Sequence, residues 1–554
     1  LPQPTSSLKI KIIEAQRRLD PSFVSIGGIL EGAVMFAPNV CDTEMRVAGN
    51  VKRIGADLPY VHESTFNDIG RFVNKVFIPF FYPDVTGFKL MTVGEWLDTR
   101  DFDLAKKARF MKYYNEWVES GRKPKRSDIV VDTHTKLEFY PEAKFYRGIF
   151  SRSDRFKAAY GPLVSSIEKI AYKILPFIKN VPVVERAAFI NKLFQNLRVY
   201  LNDCTAFESS SHPSLMRNVL LPIYQHCSNH EYDEYVSDYI EALCGINKIK
   251  CSDYKMLVNG RRMSGEMDTS LGNGLINLVI ICYVFWKKGG SLSDLLIIIE
   301  GDDSLFHHLG GIEVNSDDFR KLGFNAKLES SAHVSDASFC GLIYHEDDLI
   351  NIANPMTILM KLGWADARYA NYPDRIKLEL YKSKITCMIV QYYKTPIIYP
   401  YCLSMYKQLS KSRVKTDNYW DQQVVKQIGT VDVSKEYPIP IGTRQKMADS
   451  FGIPIHDQIR IEDQLRSLKV GENIPNAYLD NYILPIYKEN FYNNVCKVFK
   501  NSSIGLSECG RSLNPKPVPK SWMFGELGLC PDKLSGDEFV THPYYYGLDI
   551  PRSA

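Results

Sequence analysis

Three stretches of the chain carry hydrophobic patterning sharp enough to predict elements. Residues 295–299 (LLIII) are continuously apolar, the tetrapeptide EGDD follows, and residues 304–308 (SLFHH) return, which predicts a buried strand, a tight turn and a second strand. Residues 199–201 predict another short apolar strand, with Asp203 at its end. Residues 275–286 are apolar apart from Asn277 and predict a buried helix, which at about 18 Å is too short for a hydrocarbon core of ~30 Å. Just before this run Thr269, Asn273 and Asn277 recur at i, i+4 and i+8 and so share one helix face.

The coarser pattern divides the chain into three regions. Residues 1–200 are aromatic and basic, with a helix predicted over 101–119, ending near Gly121, and a charged loop RKPKR at 122–126. Residues 201–345 alternate strand-like and helix-like stretches and hold the sharp motifs. Residues 346–554 are largely helical in pattern and finish in NPKPVPKSW and HPYYYG, which read as an extended tail packed on a surface.

Composition adds bounds rather than direction. At 554 residues, 45% hydrophobic and 24% charged, the chain has apolar side chains for several cores and resembles neither a disordered nor a fibrous protein. A net charge of +4 permits a polyanionic partner without demanding one, since clustering rather than total charge decides. The twelve cysteines form no CxxC pair and no Cys/His zinc spacing, which fits a reducing compartment. The opening LPQPTSSLKIKIIEAQRRLD has no apolar h-region, and its leucine start suggests a processed or trimmed chain.

Chemistry enters at the EGDD turn. Asp302 and Asp303, side by side at a hairpin tip, repel each other unless a cation neutralises them, so an apolar hairpin that presents them predicts a bound divalent metal. A GDD tripeptide alone is weak, because it arises by chance in roughly one chain of this length in seven. Partners strengthen it. Asp203 ends a strand with Glu208 five residues on, a third carboxylate able to face the hairpin, although a structural cap would look the same. Ser264-Gly265 form a flexible loop before the Thr269/Asn273/Asn277 stripe, whose buried amides and hydroxyls require partners, either a ligand or local caps. His307 and His308 adjoin the turn, but in a strand they point to opposite faces and are not read as ligands.

The order D-x4-[DE], SG-x3-T-x3-N, GDD resembles palm motifs A, B and C of viral RNA-dependent RNA polymerases. LGFNAKLESS with Lys327 is similar to motif D, and ASFCGLIY, with Phe339-Cys340-Gly341, to the motif E turn. Upstream, THTKLEFYPEAKFYRGIFSRSDRFKAAYGP resembles motif F over about 136–157, with Lys136, Lys144 and the R-x-I-x-x-R of Arg147, Ile149 and Arg152. The resemblance covers about residues 130–345 and is strongest to tombusvirus-type positive-strand viruses, then to flavivirus-like enzymes.

This resemblance implies an α+β right-hand polymerase. Residues 1–200 would be an N-terminal extension and fingers, 201–345 the palm with an antiparallel sheet, and 346–554 a helical thumb and tail. It implies that Asp203, Asp302 and Asp303 hold two Mg²⁺ ions, with Mn²⁺ able to substitute, and that a carbonyl near Cys204 and Thr205 assists. Lys327 would protonate the leaving pyrophosphate. Lys144, Arg147 and Arg152 would bind nucleotide phosphates, and Lys136, Arg155 and Lys157 the RNA. Glu208, Ser264, Gly265, Thr269 and Asn273 would line the ribose subsite, where Glu208 departs from the family's usual aspartate. The implied partners are template and product RNA, nucleoside triphosphates and other viral replication proteins. The implied location is the host cytoplasm, in a membrane-associated replication complex or a virion. Two alternatives stay open: a reverse transcriptase, against which Glu208 and Asn273 count, and a non-catalytic RNA-binding or capsid-associated protein with a decayed palm.

Overall fold

In the computed structural model the described residues are 3–491, except 17–21, 38, 39, 124, 126–129, 143 and 175, together with Val540 and Thr541. The tail motifs NPKPVPKSW and HPYYYG lie outside the described residues, as do two positions of the RKPKR loop. The architecture mixes helices and sheets in α+β fashion.

At the centre is a four-stranded antiparallel sheet in the spatial order Ala326–Ser331, Val199–Cys204, Asp303–His308, Leu295–Glu300. Alternation along the strands splits their side chains between two cores. Ile297, Ile299 and Phe306 pack into the largest cluster, with helices Thr269–Lys287 and Pro213–Cys227. Val199, Ile298 and Leu305 face the opposite side, against helix Arg186–Phe194 and Phe339. Helix Thr269–Lys287 is longer than its apolar run predicted. It is long and apolar enough to cross a membrane by composition, yet 83% of its apolar window is buried inside the protein, which makes it the core helix behind this sheet.

A second sheet pairs Lys9–Ile12, Tyr254–Asn259, Ile246–Lys250, Val130–Thr135 and Gly148–Arg152 in that order, with Val540–Thr541 on the outer edge of Lys9–Ile12. Its apolar face, Ile10, Val131, Phe150, Ile249, Met256 and Val258, closes on Val47, Val51 and Ile54. The helix predicted over 101–119 spans Leu104–Glu119, started two residues later by Asp103, whose carboxylate accepts from the Lys106 N–H at 2.7 Å.

The C-terminal lobe is helical, as the pattern predicted, with Asp374–Gln391, Ile398–Gln408 and Ile455–Arg466 around one apolar core. That core is not made from the C-terminal region alone. Val24, Ile26, Leu30, Ala33 and Met35 are buried within it. Phe23–Ser25 pairs with Trp364–Asp366, and the Glu31 and Val34 N–H groups donate to the carbonyls of Ile474 and Tyr487. Residues 22–37 thus leave the N-terminal region of the sequential division and belong structurally to the last lobe.

Candidate active site

The acidic floor is built by strand register. Glu300 pairs with Asp303, so Gly301 and Asp302 form a two-residue hairpin loop, one residue shorter at each end than the EGDD turn read from sequence. Gly301 has φ +64°, which a glycine in the first loop position adopts without strain. On the neighbouring strands Asn202 pairs with Ser304, which continues to set Asp203 beside Asp303, and Asp203 lies opposite Lys327 on its other side. The three aspartates and Lys327 therefore meet at one end of one sheet. Asp203, Asp303 and Lys327 open onto a cavity of about 510 Å³ that Arg186, Cys340 and Trp420 also line.

None of Asp203, Asp302 and Asp303 forms an ion pair among the described residues, and their electrostatics are those of an uncompensated cluster. Burial, then Asp302 and Asp203, push the Asp303 carboxyl up to about 6, while the Cys340 thiol donates to it and opposes the rise. Asp302 reaches solvent in the cleft, but the walls strip enough hydration that burial, followed by Glu208, raises its carboxyl too. Lys327 is exposed and pairs with Glu329, which raises its ammonium above the usual range.

Behind the hairpin the helix face carrying the polar stripe is satisfied within the protein. Asn277 donates to the Asp302 carbonyl at 2.8 Å and the Gly301 carbonyl at 3.4 Å and accepts from Asn202 at 3.4 Å, so it props the turn from below. The Asn273 Oδ1 accepts from Arg262 Nε at 2.8 Å, and Thr269 donates to the Glu266 carbonyl at 2.8 Å as a local cap. Ser264-Gly265 is docked rather than free. Ser264 donates to the Gly148 carbonyl at 3.3 Å, and the Gly265 N–H to that of Phe150 at 2.8 Å. A Cβ on Gly265 would stand 2.5 Å from that carbonyl, which requires glycine there.

The remaining candidates divide. Arg147 and Lys136 face each other at the end of the strand pair Val130–Thr135 and Gly148–Arg152, where the Lys136 N–H donates to the Arg147 carbonyl. Arg147 lies close enough to Asp302 to pull its carboxyl downward against the other influences. Lys144 is exposed, 4.5 Å above the Tyr140 ring. Arg152 departs from the expected phosphate role: its side chain is 1% exposed and its Nε donates to the fully buried Glu266 at 2.9 Å, so it braces the Ser264-Gly265 loop from within. Arg155 and Lys157 sit partly buried on helix Asp154–Ala171, where burial pulls the Lys157 ammonium down. Glu208 is buried and accepts from Arg53 at 3.2 Å on both oxygens, yet remains near enough to Asp302 to raise its carboxyl.

Several residues at this site escaped the sequence reading. Glu300 is bracketed by Lys179 Nζ at 3.2 Å and Arg186 Nη2 at 3.1 Å, and Lys179 also donates to Ser270. Asp268 accepts from Tyr224 at 2.7 Å, Tyr239 at 2.8 Å and pairs with Arg262 at 3.1 Å, a buried network beneath the loop. Only the adjacency of Glu300 to the GDD tripeptide signalled any of these, because, Arg262 apart, the other partners lie 29 to 121 positions away in the chain.

An acidic floor facing basic side chains across an open cleft defines a site for polyanion chemistry, and the comparisons with known proteins give that class its family. Residues 222–472 match the family model described as viral RNA dependent RNA polymerase. The chain is 26% identical over 337 residues to the RNA-directed RNA polymerase of Groundnut rosette virus, an alignment covering 53% of this chain and 39% of that protein. It is 23% identical over 270 residues to the RNA-directed RNA polymerase of Melon necrotic spot virus, covering 44% and 33%. Over these segments the chain is thus similar to viral RNA-directed RNA polymerases, as its motifs implied, and the alignments span less than half the length of either protein. The matched family segment contains Asp302, Asp303, Lys327 and the Ser264-Gly265 loop; Asp203, Glu208 and the basic hairpin lie before it.

Proposed function

We propose that this chain synthesises RNA on an RNA template from nucleoside triphosphates, replicating and transcribing a viral genome. The central sheet would be the palm, the N-terminal sheet with its basic hairpin the fingers, and the C-terminal helical lobe the thumb. The observation that carries the reading is the register that puts Asp203 beside Asp303 on adjacent strands, unpaired, next to Asp302, which lies within electrostatic reach of Arg147.

The donor set fits a hard divalent cation. It is all carboxylate oxygen, it carries mutual repulsion that a cation relieves, and it leaves coordination positions open for substrate phosphate and water, which suits Mg²⁺ and admits Mn²⁺. Among the described residues no group of three or more acidic, cysteine or histidine side chains, Asp203, Asp302 and Asp303 included, is drawn together closely enough to hold a metal ion as it stands, so a cation would have to gather them. Asp203, Asp302 and Asp303 would hold such ions, two in our reading, which would supply Lewis-acid activation of the 3′-hydroxyl and charge neutralisation for the triphosphate and pyrophosphate.

The chain's own groups do the rest. Arg147 forks onto phosphate oxygens, with Lys136 and Lys144 beside it. Lys327, exposed and protonated opposite Asp203, delivers a proton to the leaving group. Glu208, Thr269 and Asn273, with the Ser264-Gly265 loop beside them, would sense the ribose; Asn273→Ala is expected to relax preference for ribo- over deoxyribonucleotides, read from relative kcat/KM. Phosphate contacts position the strands, and template pairing selects the base. Such work would proceed in the host cytoplasm, within a membrane-associated complex or a virion, alongside other viral replication proteins.

The test is incorporation of labelled nucleotides on primed and unprimed RNA templates with Mg²⁺ or Mn²⁺, comparing wild type with Asp302→Ala/Asp303→Ala. Template-dependent synthesis by the wild type, reduced to background in the variant, supports the reading. A wild type that binds RNA but is inactive on both templates would move the non-catalytic alternative ahead.

A further inference from the structure

Between the two cations of the basic hairpin stands one carboxylate. Glu138 follows Lys136 by two positions, and its oxygens are divided between them: Oε2 accepts from Lys136 Nζ at 3.0 Å and Oε1 from Arg147 Nη1 at 3.2 Å. The Glu138 side chain is 22% exposed, whereas those of Lys136 and Arg147 are each 42% exposed, so the cations keep faces open to solvent while the acid between them is more covered. Tyr140 lies near enough to Glu138 to help hold its carboxyl down, and Lys361 of the C-terminal lobe lies near enough to feel its charge. Burial would raise the Glu138 carboxyl, but Lys136 and Arg147 overcome it and hold the group below its usual range, so it is ionised at neutral pH.

This geometry is that of an anion already seated on a two-cation fork. A phosphate oxygen pair would take the same donors at the same distances. Glu266 is held differently: it is sealed against Arg152 with both side chains at most 1% exposed, and cannot exchange its partner without unpacking the core. Glu138 can, because its two partners are half in water and their pairing to it is correspondingly weak.

We propose that Glu138 is a built-in stand-in for phosphate, holding Lys136 and Arg147 in place when no nucleotide is bound and surrendering them to the triphosphate of the incoming nucleotide. The exchange sets a threshold. A polyphosphate chain offers enough charge to displace the carboxylate, whereas a nucleoside or a monophosphate does not, so Glu138 determines specificity for the triphosphate class and raises KM above what the fork alone would give. This rests on the polymerase reading of the site.

The test uses the whole protein with Glu138→Gln, which keeps the shape and removes the charge, and Glu138→Asp, which keeps the charge. One arm measures the thermal shift given by inorganic tripolyphosphate in EDTA, which needs no turnover. The other measures KM and kcat for UTP on an RNA template. The expected result is that Glu138→Gln binds tripolyphosphate more tightly and lowers KM by up to about tenfold, equivalent to ~1.4 kcal/mol, with the change falling on KM rather than kcat. Glu138→Asp stays closer to wild type. If tripolyphosphate stabilises Glu138→Gln no more than wild type, or if KM rises because the fork has lost its brace, Glu138 is a fixed structural partner and the proposal fails. If no variant synthesises RNA, the polymerase reading fails while the thermal arm still decides whether Glu138 is exchanged.

Discussion

The floor and the wall of the cleft treat charge in opposite ways. On the floor, Asp203, Asp302 and Asp303 are left without an internal cation, and Asp203 raises the proton affinity of both Asp302 and Asp303. On the wall, the cations are matched: Arg147 and Lys136 with Glu138, Arg152 with Glu266, Arg262 with Asp268, Arg53 with Glu208. A carboxylate cluster that lacks a partner is stored repulsion awaiting a cation, and it costs stability until one arrives. Buried guanidinium pairs hold loops in place, and breaking one leaves a charge stranded in low dielectric. The contrast teaches that charge on the floor is left unmatched within the protein, whereas charge deep in the wall is structural even where a motif suggests otherwise.

Three measurements sharpen or break this contrast. The largest effect is expected from the wall. Glu266→Ala strands Arg152 and should destabilise the fold by about 3–5 kcal/mol in urea unfolding, with the Arg152→Met/Glu266→Leu pair much nearer to wild type. Equal loss in both would mean that the pair is not the brace described. Next comes the prop under the floor. Asn277→Ala removes the donor to the Gly301 and Asp302 carbonyls and should cost about 1–3 kcal/mol, with RNA synthesis falling more steeply than RNA affinity. An unchanged rate would show that the hairpin holds its own shape.

The smallest effect concerns the floor itself. Asp303 titrates at about 6 when folded, above its ordinary value of 3.8, so its contribution to stability is complete below the ordinary value and is lost as pH rises through about 6. Metal-free protein should therefore lose a few degrees of Tm between pH 4 and pH 6.5 that Asp303→Asn does not lose, and Mg²⁺ should restore more at pH 7 than at pH 5. A variant with the same pH slope as wild type would place the repulsion elsewhere.

Much of the floor could be read from the sequence because its determinants are local. An apolar run, a two-residue loop and alternating strands suffice to place Asp302 and Asp303 at a tip, and the spacing of Asp203 from its own strand does the same. The wall was less legible. Arg147 and Arg152 differ by five positions on one strand pair, yet one side chain is 42% exposed and the other 1%, a difference decided by Glu266, 114 residues away. The polar stripe was read correctly as a helix face that needs partners. Its partners proved to be Arg262, the Glu266 carbonyl and the hairpin backbone, which no periodicity could identify. The same limit explains why residues 22–37 looked like part of the first region: their apolar positions signal burial without saying against what.

That threaded segment constrains how the molecule can be made. Phe23–Ser25 finds its partner strand only at Trp364–Asp366, and Val34 its partner at Tyr487. At a ribosomal rate of 5–20 residues per second, roughly 20–70 s separate the birth of the first strand from that of its mate. For that interval Val24, Ile26 and Leu30 have no core to enter, and the chain depends on chaperones or on transient non-native cover to keep them from other chains. When the last lobe finally emerges it cannot complete its own interior, so the beginning of the chain is the last piece of its end to be fitted.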